Sequence, residues 1–267
     1  MSDTPRTSHQ VLFQPEHLPL LKSAGLADYS AVMACREGSA LVKPGLGRRE
    51  RIRLDLTAID GSVRTVYLKR YADIAPARRE WQGLQLVRAA GVPTMEPVGM
   101  GTGPAGGFVM VGTVPGEAIE RCLPDLLARR GKDSAAMTSL AESLGHLAGT
   151  LHGAGLAHRD FYACHVFLHE VGQGFDLYLI DLARVFRPRW RKWRWRAKDL
   201  SQLYFSLPAQ WKRDYWPTLR RAYASTLCED VPPGVDRTIL SRAARLQRRA
   251  DRQEARLRVS SFDRKES

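Results

Sequence analysis

The stretch His158-Arg159-Asp160-Phe161-Tyr162-Ala163-Cys164-His165, followed after a short apolar strand by Asp181-Leu182-Ala183-Arg184-Val185, constrains this chain more than any other. An Asp in an H-R-D loop and a second Asp after the strand Leu177-Tyr178-Leu179-Ile180 are the two carboxylates that phosphoryl transfer uses. The first can accept the proton of an attacking hydroxyl, and the second can hold a Mg²⁺ that bridges the phosphates of ATP. Either piece alone is matched by a turn Asp or an ordinary strand-end Asp, because short motifs recur by chance. Both pieces in this order, with a strand between them, are far more restrictive.

Length and composition allow the fold that such a pair needs. The chain has 267 residues, 44% hydrophobic and 26% charged, which suits a globular protein with a sizeable core. Cys35, Cys122, Cys164 and Cys228 are far apart and form no C-x-x-C pair, so no disulfide framework or zinc site is indicated and a reducing compartment is expected. The N-terminal residues lack a signal-peptide pattern, and no run approaches the roughly 18 apolar residues that span a bilayer. A cytoplasmic protein is expected, soluble or peripheral at a membrane. With 41 Lys+Arg against 28 Asp+Glu the net charge is +13, which favours an anionic partner such as nucleic acid, an acidic lipid surface or a phosphorylated glycan. Charge alone does not choose among them.

Residues 1–35 carry no recognisable chemistry, although Leu18 to Leu26 can form a short helix. Ala40 to Lys43, then Ile52-Arg53-Leu54-Asp55-Leu56 and Val63 to Lys69, have the period-2 alternation of an antiparallel meander. Gly45 and Gly47, in the first turn, fit either a nucleotide-covering loop or a plain hairpin turn. Lys69 ends the alternating strand, where a kinase-like small lobe places the lysine that meets the α/β-phosphates; a surface lysine on a strand edge is the alternative. Pro76 to Ala90 reads as a helix stopped by Gly91, with Trp81, Leu84 and Val87 on one face. Glu80 on it can orient Lys69 as an ion pair, or be a surface acid beside Arg78 and Arg79.

Phe108-Val109-Met110-Val111 suits a buried strand, and Gly112 to Gly116 is turn chemistry, read as a hinge meeting adenine or simply as a loop. Leu140, Leu144, Leu147 and Leu151 mark a long core helix carrying His146 and His152, which reads directly into the H-R-D loop. After Val185 comes Arg187-Pro188-Arg189-Trp190-Arg191-Lys192-Trp193-Arg194-Trp195-Arg196. Interleaved Arg and Trp suit nucleic acid, a membrane interface, or a solvated basic loop with some Trp in the core. From Arg237 the chain reads as a further basic helix.

With these pieces placed, the sequence resembles the lipopolysaccharide core kinases, a family that includes the heptose kinases, the Kdo kinases and InaA-type proteins. The resemblance runs from about Arg53 to Tyr223. It is carried by His158 to His165, by Leu179-Ile180-Asp181-Leu182-Ala183-Arg184, and by Arg194-Trp195-Arg196-Ala197-Lys198-Asp199-Leu200 with Leu203 to Ser206. It implies an α+β, bilobal protein-kinase-like fold, with a small antiparallel β lobe bearing one helix and a larger, mainly helical lobe. The domain reading is a 1–35 extension, an ATP-binding lobe over 36–114, a catalytic lobe over 115–236 and a basic tail over 237–267.

By similarity Asp160 is the catalytic base, in a catalytic loop with His158, Arg159 and His165. Lys69 and Glu80, with Gly45 and Gly47, would bind ATP, and Asp181 would bind Mg²⁺. Asp199 falls where kinase-fold proteins brace the catalytic loop. His165 occupies the slot of the usual metal-binding Asn; imidazole suits Mg²⁺ poorly, so His165 is either a metal ligand or a phosphate or substrate contact. Asp181-Leu182-Ala183 replaces D-F-G and no A-P-E follows, which speaks against a phosphorylation-controlled loop and a peptide substrate. The implied activity is ATP-dependent phosphorylation of a heptose or Kdo hydroxyl on the lipopolysaccharide core or another anionic glycolipid, at the inner face of the cytoplasmic membrane. Nucleic acid is not the expected partner. A kinase of another small molecule or of protein, and a basic binding module with a vestigial kinase fold, are the rival readings.

Overall fold

Ile52, Leu54 and Leu56 alternate with charged residues, and in a strand that alternation buries one face and exposes the other. The computed structural model, which describes residues 9–41, 49–130 and 133–263, builds this strand into the first of two compact units. The first unit takes residues 1–115 and 178–185, the second 116–177 and 186–267. Gly45 and Gly47 lie outside the described residues.

In the first unit the order is β1 (Gln10–Phe13), a 3-10 turn (Pro15–His17), α1 (Leu18–Ser23), α2 (Tyr29–Ala34), β2 (Ser39–Ala40), β3 (Arg49–Thr57), β4 (Val63–Tyr71), α3 (Ile74–Ala89), β5 (Pro97–Gly103) and β6 (Gly106–Gly112). The six strands form one antiparallel sheet in the order β1-β5-β6-β4-β3-β2. One face packs Ile52, Leu54, Leu56, Val66, Leu68, Phe108 and Met110 against Leu20, Leu21, Leu26, Tyr29 and Val32. Truncating a wholly buried member such as Leu21 to Ala should cost about 2–5 kcal/mol. Arg70 ties this layer together, donating to the Val32, Met33 and Cys35 carbonyls at the end of α2 and pairing with Glu50.

Residues 10–34 therefore differ from the extension expected from sequence. They contribute an edge strand and two helices to the small unit, because the apolar sheet face needs a cover and α1 and α2 are that cover. The segment 178–185 joins the same unit: Leu179 N–H donates to the Pro93 carbonyl at 2.9 Å and Thr94 Oγ1 to the Leu179 carbonyl at 2.5 Å.

The second unit contains β7 (Glu117–Ala118), α4 (Ile119–Arg130), α5 (Ser134–Gly153), β8 (Val166–Val171), β9 (Gly174–Leu179, its last two residues counted with the first unit), α6 (Lys192–Ser206), α7 (Ala209–Leu227) and α8 (Val235–Asp263). The leucine stripe of α5 is buried, and Gly145 lets α7 approach so closely that a Cβ there would collide with the Leu219 carbonyl. The basic tail is likewise no appendage. Its helix starts at Val235 and packs on α6, burying Ile239 and Ala243. The Arg/Trp stretch is split, running as loop to Arg191 and as the first turn of α6 from Lys192. No helix among the described residues is long and apolar enough to cross a membrane.

Candidate active-site residues

Strand register brings together the candidate residues of the first unit. Arg51 of β3 lies directly opposite Lys69 of β4, so two cations share the sheet face that α1 and α2 leave uncovered. Like charges in that position repel, and the pair persists only if acids offset it. Helical periodicity brings one of them. α3 buries Ala77, Glu80, Trp81, Leu84 and Val87 on one side, so Glu80, 1% exposed, lies on the buried stripe and is no surface acid. Its two carboxylate oxygens accept from the Lys69 ammonium and from the Tyr71 hydroxyl. A buried ion pair of this kind is held by geometry and by the added hydroxyl donor, since removing either partner strands a charge in low dielectric.

Asp181 brings the second acid. Its Oδ2 lies 3.7 Å from Arg51 Nη2, and its backbone is left-handed, with φ of 58°. The 3-10 turn that follows, Leu182–Arg184, packs on α3 at Gly83, where a Cβ would collide with the Leu182 carbonyl. A strand end, a non-glycine residue at positive φ and a glycine contact together fix the direction of this carboxylate. Carboxylate oxygen is the donor type that hard cations take, so Asp181 fits a Mg²⁺ ligand.

In the second unit the loop around Asp160 is held through its backbone, braced by one helix. Asp199 of α6 is fully buried and accepts from the His158 N–H at 2.7 Å, from the Arg159 N–H at 2.9 Å and from His152 Nε2 at 3.4 Å. Lys198 donates to the Arg159 carbonyl, Gln202 Oε1 accepts from the Phe161 N–H at 3.2 Å, and Ser206 Oγ accepts from the Ala163 N–H at 2.8 Å. Positions 198, 199, 202 and 206 share one face of α6, which thereby replaces secondary structure for the loop before Asp160 and after it. Arg159 has φ of 72°, a conformation that costs a non-glycine residue of the order of 1 kcal/mol or more and is held here by these bonds. Burial pushes the Tyr223 hydroxyl well above its ordinary pKa, so it stays protonated and donates to His152 Nδ1, whose other nitrogen faces Asp199.

Two of the residues expected to be catalytic have other positions. His158 is 0% exposed, and its Nδ1 accepts from the Asp160 N–H at 3.3 Å, so its ring shapes the loop from inside the core. Arg159 lays its guanidinium over the rings of Phe186 and Trp195, 5.5 Å from each centroid. Both side chains thus make contacts within the packing around the loop. His165 Nδ1 lies 2.7 Å from the Asp160 carbonyl; a carbonyl only accepts, so Nδ1 carries a proton and donates it. An imidazole ligand suits a borderline metal better than Mg²⁺.

Sequence reading missed Arg51, Tyr71, Gln202 and Ser206. The latter two carried a signal, the i, i+4 spacing from Lys198, whereas Arg51 becomes visible only through strand register. Within the second unit, Gly155, Arg187, Pro188, Arg189 and Lys192 line a recess of about 490 Å³, and Trp190 beside it is 81% exposed. Arg196 is structural: buried over Trp193, it makes two hydrogen bonds to Glu229 and one to the His152 carbonyl.

The model of the family described as "Lipopolysaccharide kinase (Kdo/WaaP) family" matches residues 61–223. Over 140 residues the chain is 35% identical to the lipopolysaccharide core heptose(I) kinase WaaP of Pseudomonas aeruginosa, covering 49% of this chain and 52% of that protein. Over 164 residues it is 32% identical to the WaaP of Escherichia coli, covering 57% and 61%. The chain thus spans about half the length of the curated relatives it matches. Among solved structures, WaaP in complex with acyl carrier protein superposes with a TM-score of 0.66 at 27% identity, over 89% of this chain and 99% of that one.

Proposed function

The chain belongs to the lipopolysaccharide kinase (Kdo/WaaP) family, and from that premise we propose that it is an ATP-dependent kinase of a sugar hydroxyl, heptose or Kdo, in the lipopolysaccharide inner core. The observation that carries this reading is the buried Lys69–Glu80 pair sharing a sheet face with Arg51 and Asp181. A fold alone has no need of two cations directly opposite one another in a ladder; polyphosphate binding does.

In this reading Lys69, oriented by Glu80 and Tyr71, holds the α/β-phosphates, with Arg51 as a second cation. Asp181 would hold Mg²⁺, and the ion, when bound, would offset charge on the phosphates. Asp160 accepts the proton of the sugar hydroxyl as its oxygen bonds to the γ-phosphorus and the bond to the ADP oxygen breaks. His165 keeps Asp160 in place through the Asp160 carbonyl, and its ring is the candidate contact for phosphate or acceptor. Arg187, Arg189 and Lys192 would take an anionic group of the acceptor, with Trp190 at headgroup depth of the inner leaflet, which makes the protein peripheral on the cytoplasmic side. The solved relative is a complex with acyl carrier protein, so we count such a carrier as a candidate partner here too, checked by co-elution on size exclusion.

The deciding experiment incubates the protein with labelled ATP and purified lipopolysaccharide, with casein and nucleic acid in parallel. Label should appear in the glycolipid alone. Transfer to casein with none to glycolipid would overturn the acceptor, and no transfer with no Mg·ATP binding would support the vestigial rival.

A further inference from the structure

Away from the phosphotransfer residues, the 3-10 turn after β1 brings together three side chains that none of the reasoning above uses. Glu16 and His17 lie on that turn, and Glu96 lies immediately before β5, the partner strand of β1. One ligand atom from each, two carboxylate oxygens and an imidazole nitrogen, fall within 4.8 Å of one another. We propose that Glu16, His17 and Glu96 form a binding site for a divalent metal ion of the Zn²⁺ type.

His17 points to the ligand. It is 6% exposed, and its Nε2 makes no hydrogen bond within the described residues, although Glu96 Oε1 is only 3.3 Å away. That separation is longer than the roughly 2.9–3.0 Å at which an N–H donates to oxygen. It matches the roughly 3.3–3.4 Å between two ligands of a tetrahedral ion whose Zn–N and Zn–O bonds are about 2.0–2.1 Å, and Glu16 lies within 4.8 Å of both. The buried imidazole and the two exposed carboxylates, Glu96 with 52% of its side chain accessible, place the ion at the surface. His17 and Glu96 also line a cavity of about 490 Å³.

The donor set selects the ion. One nitrogen and two oxygens suit Zn²⁺, while Mg²⁺ takes oxygen in octahedral geometry and disfavours imidazole. The widely spaced cysteines take no part. Two carboxylates with a neutral imidazole carry −2, matched to a dication within a strongly basic chain. The site's place in the fold gives it a structural role. β1 is an edge strand paired over Gln10 to Phe13, and its exit is held by the Gln14 N–H on the Val98 carbonyl at 3.0 Å. An ion on Glu16, His17 and Glu96 fastens that exit to the stem of β5, and binding only the folded state would raise the melting temperature.

The test titrates chelator-treated full-length protein with Zn²⁺ by calorimetry and follows Tm in parallel. Wild type should bind one more tight equivalent than Glu96→Gln or Glu16→Gln, or bind that equivalent at least tenfold more tightly. The Zn²⁺-dependent rise in Tm should shrink in both variants, and excess Mg²⁺ should not reproduce it. These two glutamates are exposed, so the variants fold even if a His17 substitution does not; the cysteines and His165 remain as a constant background. Unchanged stoichiometry and affinity in both variants would overturn the proposal, as would displacement of the Zn²⁺ by Mg²⁺.

Discussion

The two regions that carry the candidate chemistry are stabilised in opposite ways. Around Lys69 the first unit sets opposite charges against one another: Lys69 with the buried Glu80, which also accepts from Tyr71, and the half-buried Arg51 with Asp181. Around Asp160 the second unit uses backbone groups, each satisfied by a side chain of α6. Removing a member of the first set leaves an uncompensated charge. Removing a member of the second leaves an unpaired amide or carbonyl and a looser loop. The first arrangement suits a site that must hold polyanionic phosphates at fixed points, the second a site that must aim one carboxylate.

The sharpest break in this comparison is Asp160 itself. Asp160→Asn should leave folding and ATP affinity intact while turnover falls by about two to four decades, the scale of a general base. Wild-type turnover in single-turnover assays would remove Asp160 from that role. Next in size, Lys69→Ala strands Glu80 in the interior and should destabilise the protein by about 3–5 kcal/mol, with kcat/KM reduced as well. Denaturant titration measures the first effect; an unchanged midpoint would mean that Glu80 is rescued by Tyr71 alone.

The second unit should respond more mildly. Asp199→Asn weakens two charge-assisted bonds to the loop and should cost about 1–3 kcal/mol, lowering kcat while the KM for ATP holds steady. A change in KM for ATP with no change in kcat would contradict the division between the two regions. Smaller again, Arg189, Arg191 and Arg194 are all exposed, and each should contribute of the order of 1 kcal/mol to an anionic surface. Replacing all three with Gln should raise the acceptor KM and release the protein from anionic vesicles, an effect that fades as the Debye length falls below about 10 Å above 0.1 M salt. Binding to vesicles that survives the triple change at low salt would assign the basic surface another purpose. Arg196 is left out because it is buried on Glu229.

The smallest effect concerns acid. The hydrogen bonds from Arg196 hold the Glu229 carboxyl below the ordinary glutamate value of 4.5. A depressed folded-state pKa contributes stability that is present above the unfolded value and is lost as pH falls through the folded one. Glu229→Gln should therefore narrow the stability difference between neutral pH and pH below 4.5, seen as a flatter Tm profile. Since the Glu229 side chain is 42% accessible, solvent screening keeps this contribution small.

Local pattern alone determined a good deal about this protein. Alternation gave β3 and β4, leucine spacing gave α5, and the H-R-D and D-L-A pieces appeared in their order because such motifs are contiguous in the chain. Helical period also contained the burial of Glu80, three residues from Ala77 and four from Leu84, although the neighbouring arginines obscured it. What the tertiary structure alone decided is every pairing across distance. Arg51 meets Lys69 only because the β3–β4 register is what it is, and a slip of one residue would turn Arg51 to the opposite face. Asp199 reaches the His158 amide across 41 positions, and residues 10–34 belong to the small unit because its sheet has an apolar face to cover. The burial of His158 was decided in the same way: sequence gives a side chain its chemistry, but packing decides whether that chemistry faces solvent or the core.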